Sequence, residues 1–179
     1  MPASTYYWIS LIAVLGVAVA SDLRSRKIPN WLVAAALVAG LAVSLTPAAP
    51  AAHGPGSALT GAVAGLLVML PLYLLSAMGA GDTKLMAAIG AFLGPWQILG
   101  AALLTFVAGG VLALAAALWL RSLPRVADNL RQIGAATLGG QAGWRGQIQT
   151  TGRLPYAVAI AAGTGLQIWL AGNSAWPFK

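Results

Sequence analysis

The sequence has no cysteine and no glutamate, a single histidine and only three acidic residues, Asp22, Asp82 and Asp128. Without cysteine there is no disulfide, no thiolate metal site and no cysteine nucleophile, while the redox compartment stays undetermined. The one histidine, His53, sits in the turn-rich connector PAAPAAHGPG. A metal site needs several converging ligands, so neither a metal nor any other cofactor is expected. Charged residues make up 7% of the chain, against about a quarter in soluble domains. A soluble globular protein is excluded.

What the sequence does have is apolar. It is 59% hydrophobic over 179 residues, with a mean hydropathy of +0.82, and the apolar stretches run nearly end to end. The expected fold is all-α, a polytopic membrane helix bundle forming a single embedded domain over residues 1–179, with no separate soluble domain. The net charge of +7 would suit nucleic acid if the cations lined one face. They fall instead in short connectors between apolar runs, where positive residues mark the cytoplasmic side of a membrane. Lipid, not nucleic acid, is the expected surroundings.

Arginine counting threads the chain. Residues 5–20 form a first span of roughly 24 Å, followed by a basic loop with Arg24, Arg26 and Lys27. Residues 31–46 lead outward and 57–78 return. From Lys84 the chain goes out to a break at Gly94 and Pro95, comes back through 98–120, and meets Arg121, Arg125, Arg131, Arg145 and Arg153. A last span covers 155–172. This gives about six transmembrane helices with the N-terminus outside. The fourth is too short to cross about 30 Å of hydrocarbon alone, leaving five spans and a half-span as the alternative. Ala18-Val19-Ala20 resembles a signal-peptidase site, but no positive charge precedes the apolar run, so the first helix is expected to be retained. Residues 124–133 have apolar positions at spacings of three and four, fitting a short interfacial helix. The Gly-rich polar stretch that follows, Gly139 to Gly152 within it, is expected to be a mobile loop, and whether it gates access is open.

With so few acids, each placement is informative. Asp22 closes the first helix in SDLRSRKIPNW and Asp82 opens the fourth in GAGDTK. The threading brings both to the same side of the membrane without reference to the acids themselves. Taken singly, each has an ordinary structural reading: Asp22 paired with Arg24, Arg26 or Lys27, and Asp82 as a helix cap. Two such roles give no reason for the only acids at span ends to share a face. Two carboxylates within a water's reach cannot both ionise easily, so the pair holds one proton and supplies a general base and a general acid together. The ionised member activates a water for attack on an amide carbonyl, and the protonated one polarises the carbonyl and protonates the leaving amine. Gly79 and Gly81 suit such a site by letting backbone and substrate approach the acid closely.

These residues carry a resemblance. SDLRSRKIPNW, GAGDTKLMAAIGAFLG and GRLPYAVAIAAG together resemble the type IV prepilin peptidase family, membrane aspartyl proteases with a Gly-x-Gly-Asp motif. The resemblance implies Asp22 and Asp82 as a catalytic dyad, with Gly79 and Gly81 shaping the active-site loop. Lys84, Pro29 and Asn30 belong to the matching motifs without an implied role; a snorkelling path to the interface is expected for Lys84. The implied activity is removal of the leader from small prepilins at the cytoplasmic face of the bacterial inner membrane, beside pilus-assembly machinery. Longer members carry an N-terminal cytoplasmic region with a cysteine-rich motif and methylate the product. This sequence resembles the short Flp or Tad pilus form, for which leader removal without methyl transfer is expected. The alternatives are a proton-coupled transporter or channel, which would place ionisable groups at mid-span, and a non-catalytic membrane subunit of a pilus or secretion assembly.

Overall fold

The computed structural model describes residues 3–46, 54–75, 78–119, 124, 155–172 and 176–178, with side chains from Tyr7 onward. It includes five helices and, among the described residues, no strand: α1 Ala3–Ser25, α2 Asn30–Ser44, α3 Pro55–Leu74, α4 Ala80–Trp119 and α5 Tyr156–Ala171. The chain divides into two compact units. One joins Met1–Gly109 to Pro155–Lys179, and the other is Gly110–Leu154. In the second unit the described residues are the end of α4 and the exposed Pro124. The rest of the expected interfacial helix, the Gly139 to Gly152 stretch, His53, Asp128 and the five later arginines lie outside the described residues.

Three helices, α1, α3 and α4, are long and apolar enough to cross a membrane, and α2 and α5 are shorter apolar helices. Their ends follow from local chemistry. α1 runs past residue 20 through Ser21 to Ser25, where the Ser25 hydroxyl donates to the Ser21 carbonyl at 2.9 Å. The helix stops at Arg26, which takes the left-handed conformation with φ 51° while its N–H donates to the Asp22 carbonyl at 2.8 Å. Asp22 therefore lies within the last turn of α1 rather than beyond it. Pro29 (φ −64°) precedes α2, Pro55 opens α3 behind Gly54, and Pro155 precedes α5. Proline suits these positions because the first helical amides have no partner to lose.

The break expected at Gly94 and Pro95 is present inside α4, with Gly94 at φ 78° and ψ 174°, backbone that only glycine adopts readily. The chain reverses there. Asp82, before the break, and Gly109, after it, both neighbour Tyr156 at the start of α5. Gly100 and Gly109 meet Gln167 and Tyr156 respectively, so the stretch of α4 from Gly100 to Gly109 runs antiparallel to α5. The break also strands carbonyls in the preceding turn, which are expensive in a membrane. The Tyr7 hydroxyl donates to one of them, the Phe92 carbonyl.

Among the described residues, the first half of α4 is the most enclosed stretch. Leu85, Met86, Ala88, Ile89, Ala91, Phe92 and Leu93 are at most 2% exposed. Around it stand α3 through Gly61 and Gly65, α2 through Gly40, and α1 through Tyr7. At Gly61 and Gly90 the helices touch backbone to backbone: a Cβ added to either would collide with the carbonyl oxygen of the other. Small residues spaced by four let membrane helices approach this closely. A helix of about 20 Å need not face the full hydrocarbon thickness when protein surrounds it, which is the physical answer to its shortness.

Candidate active site

Asp22 and Asp82 come from different helices, and the fold brings them to one end of the first unit. Asp22, in the last turn of α1, is 5% exposed. Its Oδ2 accepts a hydrogen bond from the Ala157 N–H at 2.9 Å, an amide in the first turn of α5 left free because a helix cannot satisfy its own leading donors. The carboxylate is held by this amide rather than by Arg24, Arg26 or Lys27, all three of which are exposed.

Asp82 is half-buried in the first turn of α4. Gly79 sits where the helix begins: its carbonyl accepts from the N–H groups of Asp82 at 3.2 Å and Thr83 at 3.4 Å. The Gly79 N–H in turn hydrogen-bonds to the Asp82 carboxyl. That is the reach-back half of a capping box, with Asp82 three residues inside the helix rather than at its cap. The ordinary structural role is therefore present, but it occupies only part of the carboxyl group. Burial and the charge of Asp22 both act on Asp82, and among the described residues no arginine or lysine offsets that charge.

The two glycines before Asp82 contribute room rather than unusual backbone angles. A Cβ on Gly79 would lie 3.3 Å from Asp82 Oδ2, and one on Gly81 would lie 3.2 Å from Ile28 Cβ. The Ile28 contact joins the loop between α1 and α2 to the start of α4. A second link lies beside it, where the Lys84 Nζ donates to Asn30 Oδ1 at 3.2 Å. The Lys84 ammonium thus has a neutral acceptor at the start of α2. Pro29 stands just before that acceptor, at the start of α2.

Two groups at this end had no role from the residue pattern. One is the Ala157 amide, and the other is Tyr156, half-buried with its ring against Gly109 and within electrostatic reach of Asp82. The LPY triplet at the head of the last helix was the available signal: a proline ahead of an apolar helix leaves exposed amides facing whatever lies before it. Among the described residues, no group of three or more His, Asp or Glu side chains is placed to hold a metal ion.

A bundle of apolar helices with two neighbouring carboxyl groups at one end defines a narrow class of proteins. The profile of the type IV leader peptidase family matches residues 9–114, more than half of the chain and a range that includes both aspartates. The protein belongs to this family, whose general activity is leader-peptide hydrolysis on pilin precursors. No curated protein and no solved structure matches the chain.

Proposed function

We propose that the protein is a membrane aspartyl endopeptidase that removes the leader from type IV, Flp- or Tad-like, prepilins, with Asp22 and Asp82 as its catalytic dyad. The observation that carries this reading is that two carboxyl groups from distant parts of the chain, a buried Asp22 and a half-buried Asp82, come close enough for the charge of Asp22 to act on Asp82, with no cation among the described residues offsetting it. Such a pair shares a proton. The ionised partner takes a proton from a water as it attacks the scissile carbonyl; the protonated partner donates to the carbonyl oxygen. On collapse of the tetrahedral intermediate, a proton passes to the leaving nitrogen, the C–N bond breaks, and the pair returns to its starting charge. Gly79 leaves space beside the Asp82 carboxyl for an extended substrate strand, and Gly81 lets the loop pack closely on Ile28. The acids stand at one edge of the bundle rather than at mid-span, which supports hydrolysis over proton transport.

In this reading residues 1–179 act as one embedded domain that crosses the bacterial inner membrane about six times, with the N-terminus outside and the dyad on the cytoplasmic side. The loop cations Arg24, Arg26 and Lys27 support that orientation. Exposed Trp31 near one end of the bundle and exposed Trp96 and Trp169 near the other fit aromatic anchoring at two interfaces. Reporters fused near His53 should report the outside and those near Gly140 the cytoplasm. The reverse pattern would put the dyad on the wrong face for a prepilin leader.

Catalysis by a pair that must hold one proton has a bell-shaped pH dependence. Leader removal by the purified protein, measured from acid to mildly alkaline pH with chemistry rate-limiting, should fall on both sides of a maximum. A flat profile over that range would count against a shared proton. The direct test of function is co-expression with small prepilins from the same genome, scored by loss of the leader.

A further inference from the structure

Two like charges repel, so the separation of Asp22 and Asp82 is set only as firmly as the segments that carry them are joined. We propose that Asn30 and Lys84 are positioning residues of the dyad, their hydrogen bond closing a ring of contacts that fixes the distance between the two carboxyl groups. The inference rests on the peptidase reading above and assigns work to motif residues that the reading leaves idle.

The ring can be followed atom by atom. From Asp22, the backbone is tied forward by the Arg26 N–H on the Asp22 carbonyl at 2.8 Å. The next carbonyl, that of Lys27, accepts from the Ser21 hydroxyl at 2.9 Å and the Ser25 hydroxyl at 3.3 Å. The loop is thereby folded onto the last turn of α1 instead of hanging from it. Ile28 then rests against Gly81, where any side chain would press on it. Pro29 fixes the entry to α2, whose first residue is Asn30. Asn30 Oδ1 receives the Lys84 Nζ at 3.2 Å, and Lys84 is two residues from Asp82 on the same helix.

The bond is exposed. Water competes for both partners and a long side chain is immobilised, so its net contribution to stability is small. Its consequence is geometric: it spans 54 residues of sequence and joins the two segments that carry the acids.

Separation governs how strongly the carboxyl groups are coupled, and coupling governs how wide a pH range the singly protonated pair occupies. Among the described residues, the charged and titratable groups at this end are Asp22 and Arg24 on α1, Arg26 and Lys27 in the loop, Asp82 and Lys84 on α4, and Tyr156 on α5. Asn30→Ala removes the acceptor without adding or deleting any of these charges, so the width of its pH profile reports a change of geometry rather than of net charge.

The test uses purified protein in liposomes and a prepilin substrate, with kcat, KM and thermal stability measured for the wild type, Asn30→Ala, Asn30→Asp, Lys84→Met and the Asn30→Ala/Lys84→Met double variant. Asn30→Ala should lower kcat about ten-fold, the scale of a sub-ångström misplacement, with KM within about two-fold and a narrower bell. Asn30→Asp keeps an acceptor for Lys84 and should regain most of the lost kcat. The double variant should be no slower than Lys84→Met, since both changes break one bond. Wild-type kcat and width in Asn30→Ala would overturn the inference. A loss of kcat with unchanged width, not restored by Asn30→Asp, would do the same by reducing Asn30 to a fold residue. A wild-type protein that leaves prepilin uncut would instead overturn the peptidase reading itself.

Discussion

Asp22→Asn and Asp82→Asn each reduce leader removal on the order of 10³-fold or more, while the protein still accumulates in the membrane with its thermal stability little changed. Asparagine nearly matches aspartate in shape. At position 22 its side-chain oxygen still accepts from the Ala157 N–H, and at position 82 it still accepts from the Gly79 N–H. Both helix ends keep their hydrogen bonds, and what disappears is the ability to give and take a proton. Because one proton is shared, the double variant falls no further than either single one; groups that act as a unit are grossly non-additive. Prepilin mass in co-expressing cells, with a melting curve of each purified variant, reads both halves of this expectation. If the acids served only as a helix cap and an amide acceptor, the outcome would be partial loss of stability with cleavage retained.

The second large effect lies away from the site. Gly90→Val should destabilise the bundle by about 3 kcal/mol or more, lowering the apparent melting temperature by about 10 °C, and should take activity with it. The new side chain would meet the Gly61 carbonyl oxygen, and that neighbour is main chain, which cannot step aside as a rotamer can. The helices must separate, and α4 carries Asp82. Gly16→Ala is the control, because nothing lies within 4 Å of its added Cβ; its melting temperature should stay within about 2 °C of the wild type. Equal behaviour of the two variants would show that the close approach of α3 and α4 is not what holds them.

The parts of this fold that could be read from sequence share a cause. Scarcity made Asp22 and Asp82 conspicuous, and alternation of apolar runs with basic connectors was enough to bring them to one end. Gly94-Pro95 was readable as a break because no other residue pair interrupts a helix so directly. The structure added what composition does not encode. The donor to Asp22 is a backbone amide, identical in every residue, and only the arrival of the α5 N-terminus at that carboxylate makes it special. The tie between Asn30 and Lys84 joins positions whose spacing in sequence says nothing about their distance. Gly61 and Gly65 in GAVAG were readable in principle as a close-packing pair, but the partner helix could not be chosen without the reversal at Gly94.

The most direct test of the account is made with purified protein reconstituted in liposomes beside a purified small prepilin, followed by the intact mass of every product. The account predicts that the wild-type protein cuts one peptide bond, at the junction between the basic leader and the apolar segment, and that the Asp22→Asn/Asp82→Asn double variant leaves the prepilin whole. An uncut prepilin with the wild type, or equal cutting by the double variant, would contradict it.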